Sequence, residues 1–160
     1  MPAASPTTCH ETVRGLGSRQ DAAALKLLGE AAQASDQFVR RTAIEAIGRH
    51  PLGRSSQSAV LNALRDPSEY AVRTACDVVA GWTLWEAHDL VVVLLNSASG
   101  ATRQSAIRAL ATVWIDADFP LPLRIYQRDP QIDVRRQAAR VLRRGRHIDK
   151  LANAVRSLPC

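Results

Sequence analysis

With 160 residues, the chain is long enough for one domain with its own hydrophobic core, and 46% apolar and 22% charged residues are ordinary for a globular protein. The aromatic content of 4% is too low for a core built on rings, so the composition favours closely packed helices over a sheet. The net charge of +6 is unevenly placed, since residues 1–99 carry nine basic and ten acidic side chains and residues 100–160 carry twelve and five.

The first residues, MPAASPTTCHETV, lack both the basic and the apolar region of a secretory signal. Their proline, serine and threonine content predicts a loose tail over residues 1–18. The three cysteines have no metal-ligand spacing and cannot all pair within one chain. Free thiols are typical of a reducing compartment, and no apolar run is long enough to cross a bilayer, so we expect a cytoplasmic protein with no membrane segment.

Four segments of the chain repeat one pattern at nearly constant spacing. They read RRTAIEAIG at 40–48, VRTACDVVA at 72–80, RQSAIRALA at 103–111 and RRQAARVLR at 135–143. Their central alanines recur at almost equal intervals along the chain and define the anchor positions Ala43, Ala75, Ala106 and Ala138. Each segment places apolar residues at helical spacing, which predicts a helix, and the small anchor residue lets neighbouring helices approach closely.

Another helical stretch precedes each copy, so the repeating unit is a pair of helices joined by a tight turn. The first helices are predicted at 21–34, 56–65, 86–96 and 121–128, and the units run over about 21–49, 55–81, 86–113 and 121–144. Aspartate and proline in most of the turns suit the cap and first turn of the next helix. We predict one all-α domain over 19–160, an α-solenoid of about four helix pairs, with the alanine-rich first helix and a helix at 148–157 capping its ends.

Aspartate–proline turns followed by the pattern VR..A...L occur in DPSEYAVRTACDVVA and DPQIDVRRQAARVL. Over roughly residues 20–145 the chain thereby resembles HEAT repeats, especially the short variety of phycobilisome lyase-type proteins. The resemblance implies that the second helices line a concave inner surface, and that turn aspartates and helix arginines form a ladder between repeats. The candidate pairs are Asp129 with Arg135, Asp66 with Arg73, and Asp36 with Arg40 or Arg41.

Charged residues two positions before and after the anchors would lie on that inner surface. In the first two copies a basic residue is followed four positions later by an acid, in the pairs Arg41–Glu45 and Arg73–Asp77. Arginines replace these acids in the third and fourth copies. We predict a basic partner-binding face formed by Arg103, Arg108, Arg136, Arg140, Arg143 and Arg144.

Such a cluster of arginines is either a solvated surface or the binding site of an anionic partner. We favour a protein with an acidic surface, or an acidic peptide, as that partner. The alternative is the phosphate backbone of DNA or RNA, bound in a salt-dependent manner without base readout. The sequence leaves the oligomeric state open.

Trp82 and Trp114 follow the second and third copies at corresponding places, where His50 follows the first. These tryptophans either fill gaps between helix pairs or form an aromatic rim that can stack on a base or grip a peptide. The second interpretation makes Trp82 and Trp114 part of the candidate partner-binding site.

Bacterial alkylpurine DNA glycosylases are also built from HEAT-like repeats, and WIDAD at 114–118 loosely resembles the tryptophan and aspartate with which they hold a lesion. None of their motifs is matched, so no catalytic residue is assigned. The lyase-type proteins attach bilins, but no local signal marks a bilin site. The sequence also lacks metal-ligand spacing and nucleotide or hydrolase motifs. We therefore expect a non-enzymatic interaction scaffold without a cofactor.

Overall fold

The computed structural model describes residues 6–144, and within that range it contains α-helices, short 3-10 helices and no strand. Helix α1 (Pro6–Leu16) precedes four helix pairs, so the predicted all-α solenoid is confirmed. The pairs are α2 (Ala22–Ala31) with α3 (Gln37–Arg49), α4 (Gln57–Ala63) with α5 (Glu69–Trp82), α6 (His88–Leu94) with α7 (Gly100–Leu110), and α8 (Pro120–Arg128) with α9 (Ile132–Arg144). The predicted cap at 148–157 lies outside the described residues.

Local hydrogen bonds explain where several helices begin. Asp21 accepts a hydrogen bond from the Ala24 amide before α2, and Asp36 accepts two, from the Phe38 and Val39 amides, before α3. Ser99 plays the same part before α7. These side chains satisfy amides that have no partner within the helix. The predicted aspartate cap is confirmed at Asp36, but Ser68 takes the cap position before α5 and Asp66 binds its amide instead.

The second helices form a continuous row. Helix α3 packs on α5, α5 on α7 and α7 on α9, whereas the first helices pack mainly on the second helix of their own pair. This closely packed row is the one that the resemblance to HEAT repeats places on the inner side of the solenoid. The inner surface expected from the sequence is therefore the surface of this row.

The anchor alanines lie inside the row, each with 0% exposure. Their small side chains let the second helices approach one another, as predicted. Gly48 extends the same principle, because a Cβ added there would lie 2.5 Å from Cγ2 of Val78 on the neighbouring helix. Any larger side chain at Gly48 would require Val78, or the two helices, to shift.

The prediction of a loose tail over residues 1–18 is wrong for residues 6–16, which form α1. This helix packs on α3 and α2, and Val13 is buried at 5% exposure. Helix α1 is a degenerate fifth copy of the second helix. Its end aligns with the end of α3 at a distance of one repeat length, with Val13, Leu16 and Gly17 matching Ile44, Ile47 and Gly48. Helix α1, and not the alanine-rich α2, therefore flanks the first complete second helix.

The copy escapes notice in the sequence because Thr12 stands at its anchor position and proline, serine and threonine surround it. Its glycine still marks a close helix approach. A Cβ added at Gly17 would lie 3.1 Å from the Cβ of Ala46 on α3.

Candidate partner-binding face

The surface of the second-helix row is formed by the residues two before, two after and six after each anchor, which we call the inner face. Counted from Thr12 in α1 and from the four alanines, these residues are His10, Arg14, Ser18; Arg41, Glu45, Arg49; Arg73, Asp77, Gly81; Gln104, Arg108, Thr112; and Arg136, Arg140, Arg144. All of them are at least partly exposed, in contrast to the four buried anchor alanines. The register read from the sequence therefore separates interior from surface correctly.

Two adjoining clefts lie on the N-terminal half of the inner face. The first, of about 390 Å³, runs between α1 and α3, and the second, of about 370 Å³, runs between α3 and α5. Gly17 and Ala46 line the first, and Gly48 and Val78 line the second. The same small residues that let the helices approach thus leave room for a ligand's side chains above them.

The acids of the inner face are paired differently from the sequence expectation. Glu45 lies 2.6 Å from Nη2 of Arg49 instead of pairing with Arg41, and Asp77 lies 2.8 Å from Nη2 of Arg108 on the next second helix. A glutamate four residues before an arginine is the favoured order along a helix. The predicted pairs Arg41–Glu45 and Arg73–Asp77 are therefore wrong.

Two ion pairs, one partly buried and one buried, form a ladder between helix pairs. Arg40 donates from Nε and Nη2 to the Asp66 carboxylate, at 2.7 and 2.8 Å. Arg103 makes the same bidentate contact with Asp129, at 2.7 and 2.9 Å. The hydrogen bonds from the arginines hold the pKa of both carboxyl groups below its ordinary value, against the opposing effect of burial.

Each aspartate thus binds the arginine of the preceding repeat, and the predicted pairing of Asp66 with Arg73 is wrong. The expected pair of Asp129 and Arg135 is also corrected, because Nη1 of Arg135 donates to the Asp129 backbone carbonyl at 2.6 Å. Arg40 and Arg103 donate in the same way to carbonyls five and six residues before them. In three repeats, the arginine at this position therefore hydrogen-bonds the backbone of the turn that precedes its own helix.

The ladder skips the junction between the second and third pairs. The position equivalent to the ladder arginine holds Val72 there, and the position equivalent to its aspartate holds Ala98. Both members of the pair are therefore absent together. A signal in the sequence could have identified the true partners. Arginine and aspartate recur at one fixed separation, in Arg40 with Asp66 and in Arg103 with Asp129.

Arg103 does not belong to the basic face. Its side chain is buried at 9% exposure, and its guanidinium binds Asp129 and the carbonyls of Ser97 and Ala98. Four of the five guanidinium N–H groups are used in this way, so Arg103 has little capacity left for an external partner. The prediction that placed Arg103 at the surface is wrong because helical position alone does not reveal a partner in the next helix pair.

The other predicted arginines are exposed. Helix α9 brings together four of them, Arg136, Arg140, Arg143 and Arg144, and Arg108 lies on the neighbouring α7, where it pairs with Asp77. On α9 the one acid, Asp133, lies 3.3 Å from Nη1 of Arg136, and both side chains are mostly exposed. Helix α9 therefore presents a strong excess of positive charge.

The two predicted rim tryptophans pack against the core. Trp82 ends α5, and its indole N–H donates to the Gly48 carbonyl of the preceding pair at 3.2 Å. Trp114 follows α7 and is also partly buried. Trp82 therefore acts as a joint between helix pairs, and it also lines the second cleft.

His88 and Asp118 form a further joint. Nε2 of His88 lies 3.1 Å from both carboxylate oxygens of Asp118, which is buried and also accepts a hydrogen bond from the Ile115 amide. Hydrogen bonds with Asp89 and then Asp118 raise the pKa of His88, against the effect of burial. Asp118, one of the two carboxylates in WIDAD, therefore holds α6 to the loop after α7.

Cys76 is buried in the core, and burial raises the pKa of its thiol to about 12. A thiol in this state is a poor nucleophile at neutral pH. Between residues 6 and 144 no three histidine, cysteine or acidic residues gather in an arrangement that could hold a metal ion. In the same part of the chain, no helix combines the length and apolarity that crossing a membrane requires.

No protein-family model and no curated protein matches this sequence. Among solved structures, a chain of the complex of CpcE and CpcF of phycocyanin lyase from Nostoc sp. PCC7120 is similar, with a TM-score of 0.73 and 18% identity over 88% of this chain and 60% of that one. A designed armadillo repeat protein in complex with the peptide (KR)4 is also similar, with a TM-score of 0.70 and 19% identity over 88% and 77%. The chain therefore has the fold of HEAT- and armadillo-type helical repeats, while spanning less than two thirds of the lyase chain.

Proposed function

We propose that the protein is a non-enzymatic scaffold whose inner face binds an acidic surface or an extended acidic peptide of a partner protein, with α9 supplying the main contact. The observation that carries this proposal is the exposed excess of arginine on α9, where four exposed arginines and the half-buried Arg135 accompany one aspartate. Like charges at helical spacing cost stability, and an anionic partner would relieve that cost.

The arginines of α9 are available for such a contact. Arg140 and Arg143 make hydrogen bonds only at 3.4 Å, to Gln137 and the Ala139 carbonyl, among the described residues. Guanidinium groups bind carboxylates in a bidentate manner, which gives both affinity and orientation. A partner would replace these weak, solvated contacts by guanidinium–carboxylate pairs, which would stabilise the complex.

The structural neighbours support the class of partner. The designed armadillo repeat protein is in complex with a peptide of lysine and arginine, and CpcE and CpcF form a complex with each other. A basic peptide needs an acidic binding face, whereas the inner face of this protein is basic. The complementary ligand is therefore acidic. Trp82 in the second cleft offers such a peptide an apolar contact, and we propose Trp114 as a further aromatic contact.

The test is a titration of the protein into a fluorescent peptide of alternating glutamate and glycine, followed by anisotropy at low and high salt. We expect binding that weakens with salt, because exposed charges are screened beyond about 10 Å at 0.1 M ionic strength. Matched glutamine and lysine peptides should not bind. Tighter binding to labelled duplex or single-stranded DNA than to the acidic peptide would replace this proposal by phosphate-backbone recognition.

A charge-reversal set locates the contact. The variant Arg136→Glu, Arg140→Glu, Arg143→Glu should lose at least tenfold in affinity for the acidic peptide. The control reverses three exposed cations on the outer side, Lys26→Glu, Arg65→Glu and Arg128→Glu, with the same change in net charge. Equal loss in both sets would mean that only net charge matters, which contradicts a binding site on α9.

A further inference from the structure

The cleft between α1 and α3 is also basic. Arg14, Arg41 and Arg49 line it with a single acid, Glu45, which Arg49 already engages at 2.6 Å. Arg14 and Arg41 are exposed, and neither side chain has an ion-pair partner among the described residues. The N-terminal end of the inner face therefore holds two available cations, one of them from a helix that the sequence did not reveal.

The centre of the inner face is close to electrical balance. Asp77 and Arg108 neutralise each other across α5 and α7 at 2.8 Å. Arg73 is half-buried, with its Nε shielded from solvent, and Gln104 carries no charge. Positive charge is thus concentrated at the two ends of one surface, with a weakly charged stretch between them.

The separation of the two ends can be estimated from helix packing. Neighbouring packed helices lie about 10 Å apart, so three to four steps separate the first cleft from α9, or roughly 30–40 Å. An extended peptide advances about 3.3 Å per residue, so roughly ten residues span that distance.

We propose that the partner is one extended segment with two acidic clusters about ten residues apart, one seated in the α1–α3 cleft and the other on α9. This inference rests on the proposed function and adds a second contact and a spacing to it. The uncharged middle of the segment crosses the second helices between the ends. Because both clusters belong to one chain, binding of the first raises the effective concentration of the second.

The experiment compares three peptides of equal length. The first has one cluster of four glutamates, the second has two such clusters separated by ten Gly/Ser residues, and the third has the two clusters adjacent. We expect the second peptide to bind at least tenfold more tightly than either of the others. Equal affinity of the second and third peptides would overturn the inference.

Variants of the α1–α3 cleft test whether the tighter binding of the separated clusters comes from this cleft. Arg14→Glu with Arg41→Glu should abolish the advantage of the separated clusters, while Lys26→Glu with Arg65→Glu should preserve it. The milder pair Arg14→Gln and Arg41→Gln serves if the reversal disturbs folding, as judged by circular dichroism. Persistence of the advantage in the folded variants contradicts the inference.

The two levels of the proposal fail separately. If the single-cluster peptide binds through α9 and separated clusters add nothing, the second contact is wrong while the scaffold function stands. If neither the single nor the separated clusters bind at low salt, both fail.

Discussion

The junctions between successive helix pairs are built in two ways. The first and third junctions each contain a bidentate ion pair, the partly buried Arg40–Asp66 or the buried Arg103–Asp129, whereas the second has Val72 and Ala98 at the same positions. All three junctions nevertheless bring their second helices into close packing. The buried ion pair is therefore not required for stacking, which the apolar stripes and anchor alanines provide.

The two kinds of junction differ in what a single substitution does. A buried charge that loses its partner retains its desolvation cost, whereas a matched apolar pair has no such cost. The middle junction shows that apolar residues at both positions, Val72 buried and Ala98 exposed, are compatible with the fold. Its exposed pair, Asp77–Arg108, is solvated on both sides and contributes little.

The largest expected effect is the loss of Asp129. The substitution Asp129→Ala leaves the Arg103 guanidinium buried without its carboxylate and should lower the free energy of unfolding by about 3–5 kcal/mol, measured by urea denaturation. The double variant Arg103→Val, Asp129→Ala copies the middle junction and should be more stable than Asp129→Ala. The exposed counterpart Asp77→Ala should cost less than about 1 kcal/mol. A double variant less stable than Asp129→Ala would contradict this explanation.

A smaller effect is expected from the close approach at the first junction. Gly48→Ala places a methyl group 2.5 Å from Val78 and should destabilise the protein by about 1–3 kcal/mol through overpacking. The control Gly29→Ala adds a methyl group in open space within α2 and should stabilise by about 0.5–1 kcal/mol. Thermal unfolding of both variants measures the difference. Adding Val78→Ala to Gly48→Ala should recover part of the loss, and no recovery would argue against the steric explanation.

The smallest expected effect is the pH dependence of the joint beside the third junction. The pKa of His88 is raised in the folded state, so its stabilising contribution is present below the unfolded value of about 6.5 and is lost as the pH rises through the folded value. The difference in unfolding free energy between wild type and His88→Gln should therefore shrink between pH 5.5 and 8.5, by roughly 1 kcal/mol or less. The ladder carboxylates, whose pKa values are lowered, stay ionised throughout this range. A difference that grows with pH would contradict the contact with Asp118.

The helix pairs, the repeat spacing and the buried anchors could all be predicted from the sequence, because they depend on periodicity within a short stretch of chain. The basic character of α9 was predictable for the same reason, since its four exposed arginines lie close together on a single helix. Helix α1 was missed where its residue types departed from the pattern, although Gly17 and Gly48 stand one repeat length apart.

Which arginines are buried between helix pairs and which remain free to meet a partner depends on the tertiary structure. Arg40 and Arg41 are neighbours in sequence, yet one is bound to Asp66 and the other lines both clefts. Arg103 and Arg136 are equally basic in the sequence, and stacking buries the first and exposes the second. The reason is that the partner of each ladder arginine comes from the next helix pair, so its charge is neutralised by a contact that exists only once the pairs are stacked.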